Sequence, residues 1–288
     1  MRTIQTVADL RRALEPLRKA GKRIGFVPTM GALHKGHLSL VRLSKLHTDV
    51  TVVSIFVNPT QFGPNEDFEK YPRTVESDAM MLVDEGVEFL FLPDRQEMYP
   101  NGNSTFVQVD GISSVFEGEI RPTHFRGVAT VVAKLFNAVQ PDVAFFGQKD
   151  AQQVAVIKRM VRDLLLPIEI TIGPTIRESD HLAMSSRNRY LNEEHRNKSN
   201  VLHRILETFA EALRKGDSPQ IARNAALQVL ERSGSDASLD YLELVDSETF
   251  QPVMSFKFSE EASNDASATI IIAARFGTTR LIDNLVIR

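Results

Sequence analysis

The chain has 288 residues, a formal net charge of −3 and no cysteine. This length allows one large or two ordinary domains, and we predict two. The lack of cysteine excludes disulfides, thiol catalysis and cysteine-ligated zinc, and the small net charge gives no general attraction for nucleic acid or an acidic membrane. The N-terminus lacks the apolar region of a signal peptide and no stretch is apolar enough to span a bilayer, so we expect a cytoplasmic protein.

A strand, a glycine-containing turn and a helix are predicted after a first helix over residues 6–20. The apolar run from Ile24 to Val27 ends at Pro28, and an apolar-rich helix begins near Gly36. Proline closes the strand because it has no N–H to donate, and glycine lets the backbone come close to a ligand. The N–H groups and the positive dipole end of the following helix suit a phosphate.

Two histidines, His34 and His37, flank this turn in the pattern His-x-Gly-His. Two imidazoles one helical turn apart can both donate hydrogen bonds to the oxygens of a phosphate. Such donors would stabilise the negative charge that builds up on these oxygens when the phosphorus becomes pentacoordinate. This spacing at a strand-to-helix turn resembles the nucleotidyl-transferring α/β superfamily, which includes the class I aminoacyl-tRNA synthetases and attacks the α-phosphate of ATP. A metal pair and two surface histidines are the alternatives. Metal is disfavoured because no cysteine and no nearby histidine or carboxylate run completes a ligand set.

Strands and helices alternate from this turn to residue 172. Predicted strands cover residues 50–57, 87–92, 105–109, 143–146 and 168–172. One predicted helix ends at Gly86, and two others cover residues 125–139 and 151–165. The alternation predicts a doubly wound parallel sheet. Ligands collect outside the carboxyl ends of such strands, which puts Asn58 and Gln61 near the substrate. Plain turn chemistry is the alternative for either residue.

The pattern changes after Gly173-Pro174. A polar loop is followed by predicted helices over 193–215 and 219–232 and by strands over 241–245, 269–274 and 281–287, with a polar insert from Ser259 to Ser267. The predicted fold class is α/β, a Rossmann-like doubly wound parallel sheet followed by a smaller α+β C-terminal domain. We predict domains over residues 1–180 and 181–288, with the second acting as a lid.

Several motifs, taken in order, resemble one enzyme family. They are Pro28-Thr29-Met30-Gly31-Ala32-Leu33-His34-x-Gly-His37, Phe56-Val57-Asn58-Pro59-x-Gln61-Phe62, Tyr71-Pro72-Arg73, Phe146-Gly147-x-Lys149-Asp150-x-x-Gln153 and Ser185-Ser186-Arg187-Asn188. In this order and spacing the chain resembles the pantoate-β-alanine ligase family over residues 22–192, and the segment 280–284 also fits. The resemblance implies an ATP- and magnesium-dependent condensation of (R)-pantoate with β-alanine. Pantoate carboxylate attacks the α-phosphorus to give pantoyl adenylate and pyrophosphate, and the amine of β-alanine then displaces AMP, giving pantothenate.

The same resemblance implies roles for individual residues. The catalytic set is His34, His37, Lys149, Ser185, Ser186 and Arg187. The ATP-binding set is Pro28, Thr29, Met30, His34, His37, Gly147, Lys149, Asp150, Met184, Ser185, Ser186 and Arg187. Pantoate would be bound by Gln61 and Gln153, and β-alanine by Asn58, Tyr71 and Arg121. Magnesium would be carried on the triphosphate, so no protein ligand to the metal is expected.

Two other classes of protein compete with this hypothesis. A nucleotide-binding regulatory protein would keep the fold and lose the chemistry, but the intact His34, His37, Lys149 and Arg187 favour the enzyme. An RNA-charging enzyme is disfavoured by the length and by the absence of a basic surface signature. We therefore expect small-molecule substrates, no nucleic-acid or membrane partner, and no resident metal site.

Two further expectations concern assembly and one departure from the family pattern. The family is typically dimeric, and the predicted edge strand over 105–109 offers a surface that could pair across a two-fold axis. His181 stands where the family pattern has glycine. A glycine at such a place usually means a positive φ, so we expect His181 to have a positive φ and its imidazole to project to solvent. The alternative is that His181 adds a donor near the phosphates or a pH dependence near neutrality.

Overall fold

The computed structural model describes residues 1–64, 66, 68–256 and 268–287. The chain forms two compact units: the first comprises residues 1–147 and 156–174, and the second comprises residues 148–155 and the described residues from Thr175 onward. The predicted domains divide the chain at residue 180 instead, and the polar insert Ser259–Ser267 lies outside the described residues. Within the described ranges, no helix has the length and hydrophobicity needed to cross a bilayer.

A six-stranded parallel sheet forms the centre of the first unit. The strand order is β1-β4-β3-β2-β5-β6, and every pairing is parallel. The strands are β1 (Arg2–Ile4), β2 (Ile24–Thr29), β3 (Val50–Ile55), β4 (Phe89–Phe91), β5 (Val143–Gly147) and β6 (Glu169–Gly173). Strand β3 is buried along its whole length, as its run of β-branched residues predicts for a strand covered on both faces. The predicted doubly wound sheet is confirmed.

Helices follow the strands of this sheet. They are α1 (Val7–Lys19), α2 (Lys35–His47), α3 (Val75–Asp84), α4 (Arg95–Met98), α5 (Glu117–Ile120), α6 (His124–Val139) and α7 (Ala151–Asp163), of which α7 has its first residues in the second unit. The chain leaves β2 toward β3 on one side, and β5 returns to the other side of β2. This reversal of strand order is the topological switch point, outside which doubly wound sheets bind ligands.

Helix α2 packs unusually close to β2. A Cβ atom on Gly25 would collide with the side-chain oxygens of Ser44 and Thr48, so only glycine allows this approach. Ser44 also hydrogen-bonds the hydroxyl of Thr51 on β3, at an oxygen-oxygen distance of 2.9 Å. These contacts fix the position of α2 relative to β2 and β3, and therefore the position of the turn that precedes α2.

The predicted strand over residues 105–109 is wrong, because no described residue in this segment joins a strand ladder. The N–H of Val107 donates instead to the hydroxyl of Thr130 on α6, at 2.9 Å, and the guanidinium of Arg126 lies over the ring of Phe106. The hydroxyl of Thr130 on α6 thus accepts a backbone N–H that an edge strand would leave without a partner. The suggested pairing surface for a dimer loses its basis here.

The second unit packs helices against an antiparallel sheet. Its helices are α8 (Glu193–Lys198), α9 (Val201–Arg214) and α10 (Pro219–Arg232), and its strands are β7 (Ser238–Asp246), β8 (Ala268–Phe276) and β9 (Thr279–Ile287), in the order β7-β8-β9. The predicted helix over 193–215 is two helices. The hydroxyl of Ser199 donates to the carbonyl of Arg196 at the break, an example of a side chain competing with helical hydrogen bonds.

Candidate active site

The turn between β2 and α2 presents two histidine rings in a defined orientation. His34 is the N-cap of α2, where its Nδ1 accepts the N–H of Gly36 at 3.2 Å, and His37 Nδ1 accepts the N–H of His34 at 3.3 Å. The ring centroids are 4.1 Å apart. Because each Nδ1 accepts a main-chain N–H, each neutral ring carries its proton on Nε2. The predicted pair of imidazole donors at a helix N-terminus is therefore consistent with the geometry.

A buried carboxylate that the sequence analysis missed holds this turn. Asp78 on α3 is 1% exposed, and its two oxygens accept the N–H groups of Ala32 and Leu33, each at 2.9 Å. The hydroxyl of Thr74 donates to the same carboxylate. Ala32 has φ 50°, so the turn places a non-glycine residue in the left-handed region and needs this support. An available signal was the spacing of Asp78 one turn before Leu82, which puts a carboxylate on the buried face of α3.

Asn58 and Gln61 follow the carboxyl end of β3. The Asn58 amide nitrogen donates to Gln61 Oε1 and to the carbonyl of Gly127, both at 3.1 Å. The Asn58 oxygen accepts hydrogen bonds from Thr60 and from the hydroxyl of Tyr99. Asn58 is 1% exposed, and these contacts use both ends of its amide. Its geometry is that of a residue that fixes the loop, while its predicted contact with β-alanine stays a prediction.

Gln61 is presented toward the turn after β2. Its Nε2 lies 2.9 Å from the sulfur of Met30, another predicted site residue. The loop carrying Gln61 is pressed against α6 at Gly127, where a Cβ atom would lie 2.7 Å from Gln61 Cα. At the end of β2, the hydroxyl of Thr29 donates to the carbonyl of Ser54 and accepts the N–H of Gly31. Pro28 belongs to the same strand.

A second residue missed by the sequence analysis, His124, supports Gln61 from the start of α6. Its Nδ1 lies 2.9 Å from the carbonyl oxygen of Gln61. Burial and the nearby charge of Arg121 lower the pKa of His124 from 6.5 to about 4. The ring is therefore neutral near pH 7 and donates its Nδ1 proton to that carbonyl.

Arg121 already has a carboxylate partner. Its guanidinium makes two hydrogen bonds to Glu66, from Nε at 2.7 Å and from Nη2 at 2.6 Å. Burial alone would raise the pKa of Glu66, but the hydrogen bonds and charge of Arg121 outweigh burial and lower it. Tyr71, the other predicted β-alanine contact, is buried with its ring edge against Phe62. Arg121 thus binds a carboxylate of the protein in a bidentate manner.

The other predicted site residues belong to the second unit, except Gly147, which ends β5. Lys149 and Asp150 form a short 3-10 turn with Gln148, and Lys149 Nζ lies 3.4 Å from Asp150 Oδ1. Gln153 follows on the first turn of α7. The structure thus brings Pro28, Thr29, Met30, His34, His37, Asn58, Gln61, Tyr71 and Arg121 into one unit, and Lys149, Asp150, Gln153, Met184, Ser185, Ser186 and Arg187 into the other.

The loop that carries the serines is also a capped turn. Ser185 is the N-cap of a 3-10 turn over Ser186–Tyr190, and its hydroxyl accepts the N–H of Arg187 at 3.2 Å. Asn188 donates to the carbonyl of Ala183 and to the carboxylate of Glu178. These contacts hold Ser185 to Arg187 as one preformed segment within the second unit.

His181 has φ 72°, so the expected positive φ is confirmed, and the residue as a whole is exposed. Its imidazole stacks on that of His203, with centroids 5.1 Å apart. The left-handed backbone at this position costs about 1 to 2 kcal/mol for an L-residue.

The parallel sheet with a histidine-bearing turn at its switch point defines a doubly wound α/β protein. A family model described as pantoate-beta-alanine ligase matches residues 2–286. The chain is 50% identical to pantothenate synthetase of Chloroherpeton thalassium, with 99% of this chain and 98% of that protein aligned. The chain therefore belongs to the pantoate-β-alanine ligase family, and the predicted enzyme class, a ligase, is confirmed.

Two solved structures support the same assignment. The crystal structure of pantothenate synthetase from Thermus thermophilus matches with a TM-score of 0.91 and 48% identity, over 99% of each chain. The structure of pantoate-beta-alanine ligase from Francisella tularensis, complexed with beta-gamma ATP and β-alanine, matches with a TM-score of 0.78 and 34% identity, over 99% of this chain and 97% of that one.

Asp78→Asn tests whether the buried carboxylate holds the histidine turn in its working shape. The amide keeps the size but presents an NH₂ group to a main-chain N–H, which should destabilise the fold by about 1 to 3 kcal/mol. We expect pantoate-dependent exchange of pyrophosphate into ATP to fall at least tenfold, measured at a temperature where the variant is folded.

Asp142→Asn is the matched control, because Asp142 accepts the N–H of Ile24 at the opposite end of the same strand. Asp142→Asn should lower the stability of the fold and leave pantoate-dependent exchange of pyrophosphate into ATP unchanged. Normal exchange in Asp78→Asn, or equal losses in the two variants, would show that Asp78 acts on stability alone.

Proposed function

We propose that this ligase joins pantoate to β-alanine through a pantoyl adenylate, with ATP as cosubstrate. In the first step an oxygen of the pantoate carboxylate bonds to the α-phosphorus, and the bond from that phosphorus to the bridging oxygen breaks as pyrophosphate leaves. In the second step the amine of β-alanine bonds to the acyl carbon, the acyl carbon-oxygen bond breaks, and AMP leaves. The amine loses a proton as the amide forms.

The observation that carries this proposal is the orientation of His34 and His37 at the N-terminus of α2. Both rings accept main-chain N–H groups at Nδ1, so each neutral ring has its proton on Nε2, from which it would donate to a phosphate oxygen. Charge builds on phosphate oxygens in both steps, and a donor already fixed in place costs no reorganisation during the reaction. One such donor contributes about 3 to 4 kcal/mol in other enzymes. The dipole of α2 adds to the same attraction.

The second unit would supply further donors to the phosphates from Lys149, Ser185, Ser186 and Arg187. Arg187 and Lys149 bring the positive charge that a chain of net charge −3 does not provide overall. The capped turn over Ser186–Tyr190 supports this role because the hydroxyl of Ser185 accepts the N–H of Arg187 and fixes the start of the turn. Met30, Gly147, Met184 and Asp150 complete the proposed nucleotide contacts, with Asp150 accepting from ribose hydroxyls.

Neutral amides would bind pantoate. Gln61 and Gln153 can hydrogen-bond the hydroxyls and the carboxylate of a hydroxy acid without neutralising the carboxylate, which stays nucleophilic. The contacts of Gln61 with Asn58 and His124 support this role, because they fix its loop. β-Alanine would meet Arg121 through its carboxylate, near Tyr71 and Asn58.

Magnesium would be carried by the triphosphate. Among the described residues no group of three or more histidine, aspartate or glutamate side chains could hold a metal ion. Magnesium binds through oxygen ligands and commonly through substrate phosphates, so the triphosphate of ATP would hold it. When bound it would neutralise phosphate charge, while the histidines, Lys149 and Arg187 orient the oxygens.

Three broader features belong to the same proposal. We place the protein in the cytoplasm, where ATP is available. A chain without cysteine forms no disulfide, which is compatible with a reducing compartment. We expect a homodimer from the family resemblance, which sedimentation would test. The role of the C-terminal domain as a lid over the nucleotide stays a prediction. A regulatory protein without activity is disfavoured by the histidine geometry, and pantoate-dependent release of pyrophosphate would separate the two.

His37→Asn separates the donor role of His37 from its capping role. The asparagine Oδ1 can replace Nδ1 as acceptor for the N–H of His34, but nothing replaces Nε2–H. We expect pantoate-dependent pyrophosphate-ATP exchange to fall at least a hundredfold with the fold intact.

The matched control is His47→Ala, at the opposite end of α2, which should exchange normally. Normal exchange in His37→Asn would mean that His37 only caps the helix, and the proposed site would be wrong.

Arg121→Ala and Glu66→Gln distinguish substrate binding from a structural ion pair. If Arg121 binds the carboxylate of β-alanine, its loss should raise the KM for β-alanine at least tenfold and leave adenylate formation unchanged. Glu66→Gln removes the negative charge that pairs with the guanidinium and should leave that KM unchanged or lower it. Equal rises in the two variants would mean that the pair holds the loop and does not bind substrate.

A further inference from the structure

Strand β9 contains two adjacent buried polar residues, Asp283 and Asn284, each 4% exposed. Successive side chains of a strand point to opposite faces, so the two residues serve different partners. Buried polar groups are almost always hydrogen-bonded, and both of these are. They end the motif over residues 280–284, to which the proposed reaction gives no role.

The side chain of Asn284 hydrogen-bonds the turn over residues 148–150. Its Nδ2 donates to the carbonyl of Gln148 at 3.0 Å and to the carbonyl of Lys149 at 2.8 Å. Its Oδ1 accepts from the side-chain amide of Gln148 at 3.1 Å. A primary amide has two donors and one acceptor oxygen, so each of these groups is engaged on the turn that carries Lys149.

Asn284 is itself held in place. Arg177 makes a bidentate pair with Asp283, at 2.6 and 3.0 Å, and Asp283 Oδ1 accepts the main-chain N–H of Asn284 at 2.8 Å. Asn284 also lies opposite Ile271 on the central strand β8. The amide therefore extends from a rigid part of the second unit to the turn over 148–150.

We propose that Asn284 is a positioning residue for Lys149, and through it for the phosphates of ATP. The inference rests on the proposed role of Lys149. A lysine side chain has four rotatable carbons, so the accuracy with which its ammonium is placed depends on a fixed backbone at its root. Asn284 supplies that fixed point by holding the carbonyls of Lys149 and of the residue before it. A misplacement of about 1 Å at a catalytic group can cost about a hundredfold in rate.

Asn284→Asp tests the donation directly. Aspartate has nearly the same shape and still accepts from the Gln148 amide, but it loses both donors and faces two carbonyl oxygens. We expect kcat for pantoate-dependent pyrophosphate-ATP exchange to fall about 10- to 100-fold. Asn284→Ala removes the donors without adding charge, and its kcat for the same exchange should fall within the same range. Wild-type exchange in both variants would overturn the proposal.

A double-mutant cycle with Lys149→Ala shows whether Asn284 acts through the lysine. If it does, adding Asn284→Ala to Lys149→Ala should cost far less than it costs in the wild-type background. If Asn284 were purely structural, its substitution would instead lower the exchange rate by the same factor in both backgrounds. Full multiplication would therefore contradict the positioning role.

Asp246→Ala is the matched control in the same sheet. Asp246 accepts the N–H groups of Glu248 and Thr249 and the hydroxyl of Thr249, and these bonds fix the turn after β7. This variant should keep wild-type exchange while losing stability, as thermal unfolding will report. The cycle also separates the two hypotheses: normal exchange in Lys149→Ala would overturn the role of Lys149, whereas normal exchange in the Asn284 variants beside an inactive Lys149→Ala would overturn only the inference.

Discussion

The working geometry of the first unit depends on a buried carboxylate that binds no substrate in our account. Asp78 accepts two main-chain N–H groups from the turn between β2 and α2, and so fixes the direction in which α2 begins. The histidine rings then take their orientation from the capped helix N-terminus. Donors that are fixed before the reaction contribute most to stabilising charge, so the chemistry of this turn depends on Asp78.

The second unit solves the same problem with a neutral amide. Asn284 holds the turn that carries Lys149, as Asp78 holds the turn that carries His34. The difference follows from the groups to be held: main-chain N–H groups need an acceptor, which a carboxylate supplies, whereas carbonyls need donors, which asparagine supplies. In each unit a distant element supports a short turn that carries proposed site residues, and rigidity comes from the secondary structure behind it.

The sequence predicted features that depend on local pattern and failed where tertiary contacts decide. The β-branched run of β3 and the proline and glycines around β2 identified the parallel sheet, because such signals act within one element. The segment 105–109 alternates like a strand, but the hydroxyl of Thr130 takes the N–H that a strand partner would need. Asp78 and Asn284 were missed as positioning residues because their partners lie 45 and 135 or more positions away in sequence. Spacing within one motif cannot reveal such contacts.

In the proposed reaction, pantoate becomes activated when its own carboxylate oxygen bonds to the α-phosphorus of ATP. Pantoate labelled with ¹⁸O in its carboxylate tests this directly, by mass spectrometry of the AMP formed after complete turnover with unlabelled ATP and β-alanine. Our account predicts one ¹⁸O atom in AMP and none in pyrophosphate, because the acyl carbon-oxygen bond breaks when the amine attacks. AMP without label would contradict the adenylate route, whatever the rate of pantothenate formation.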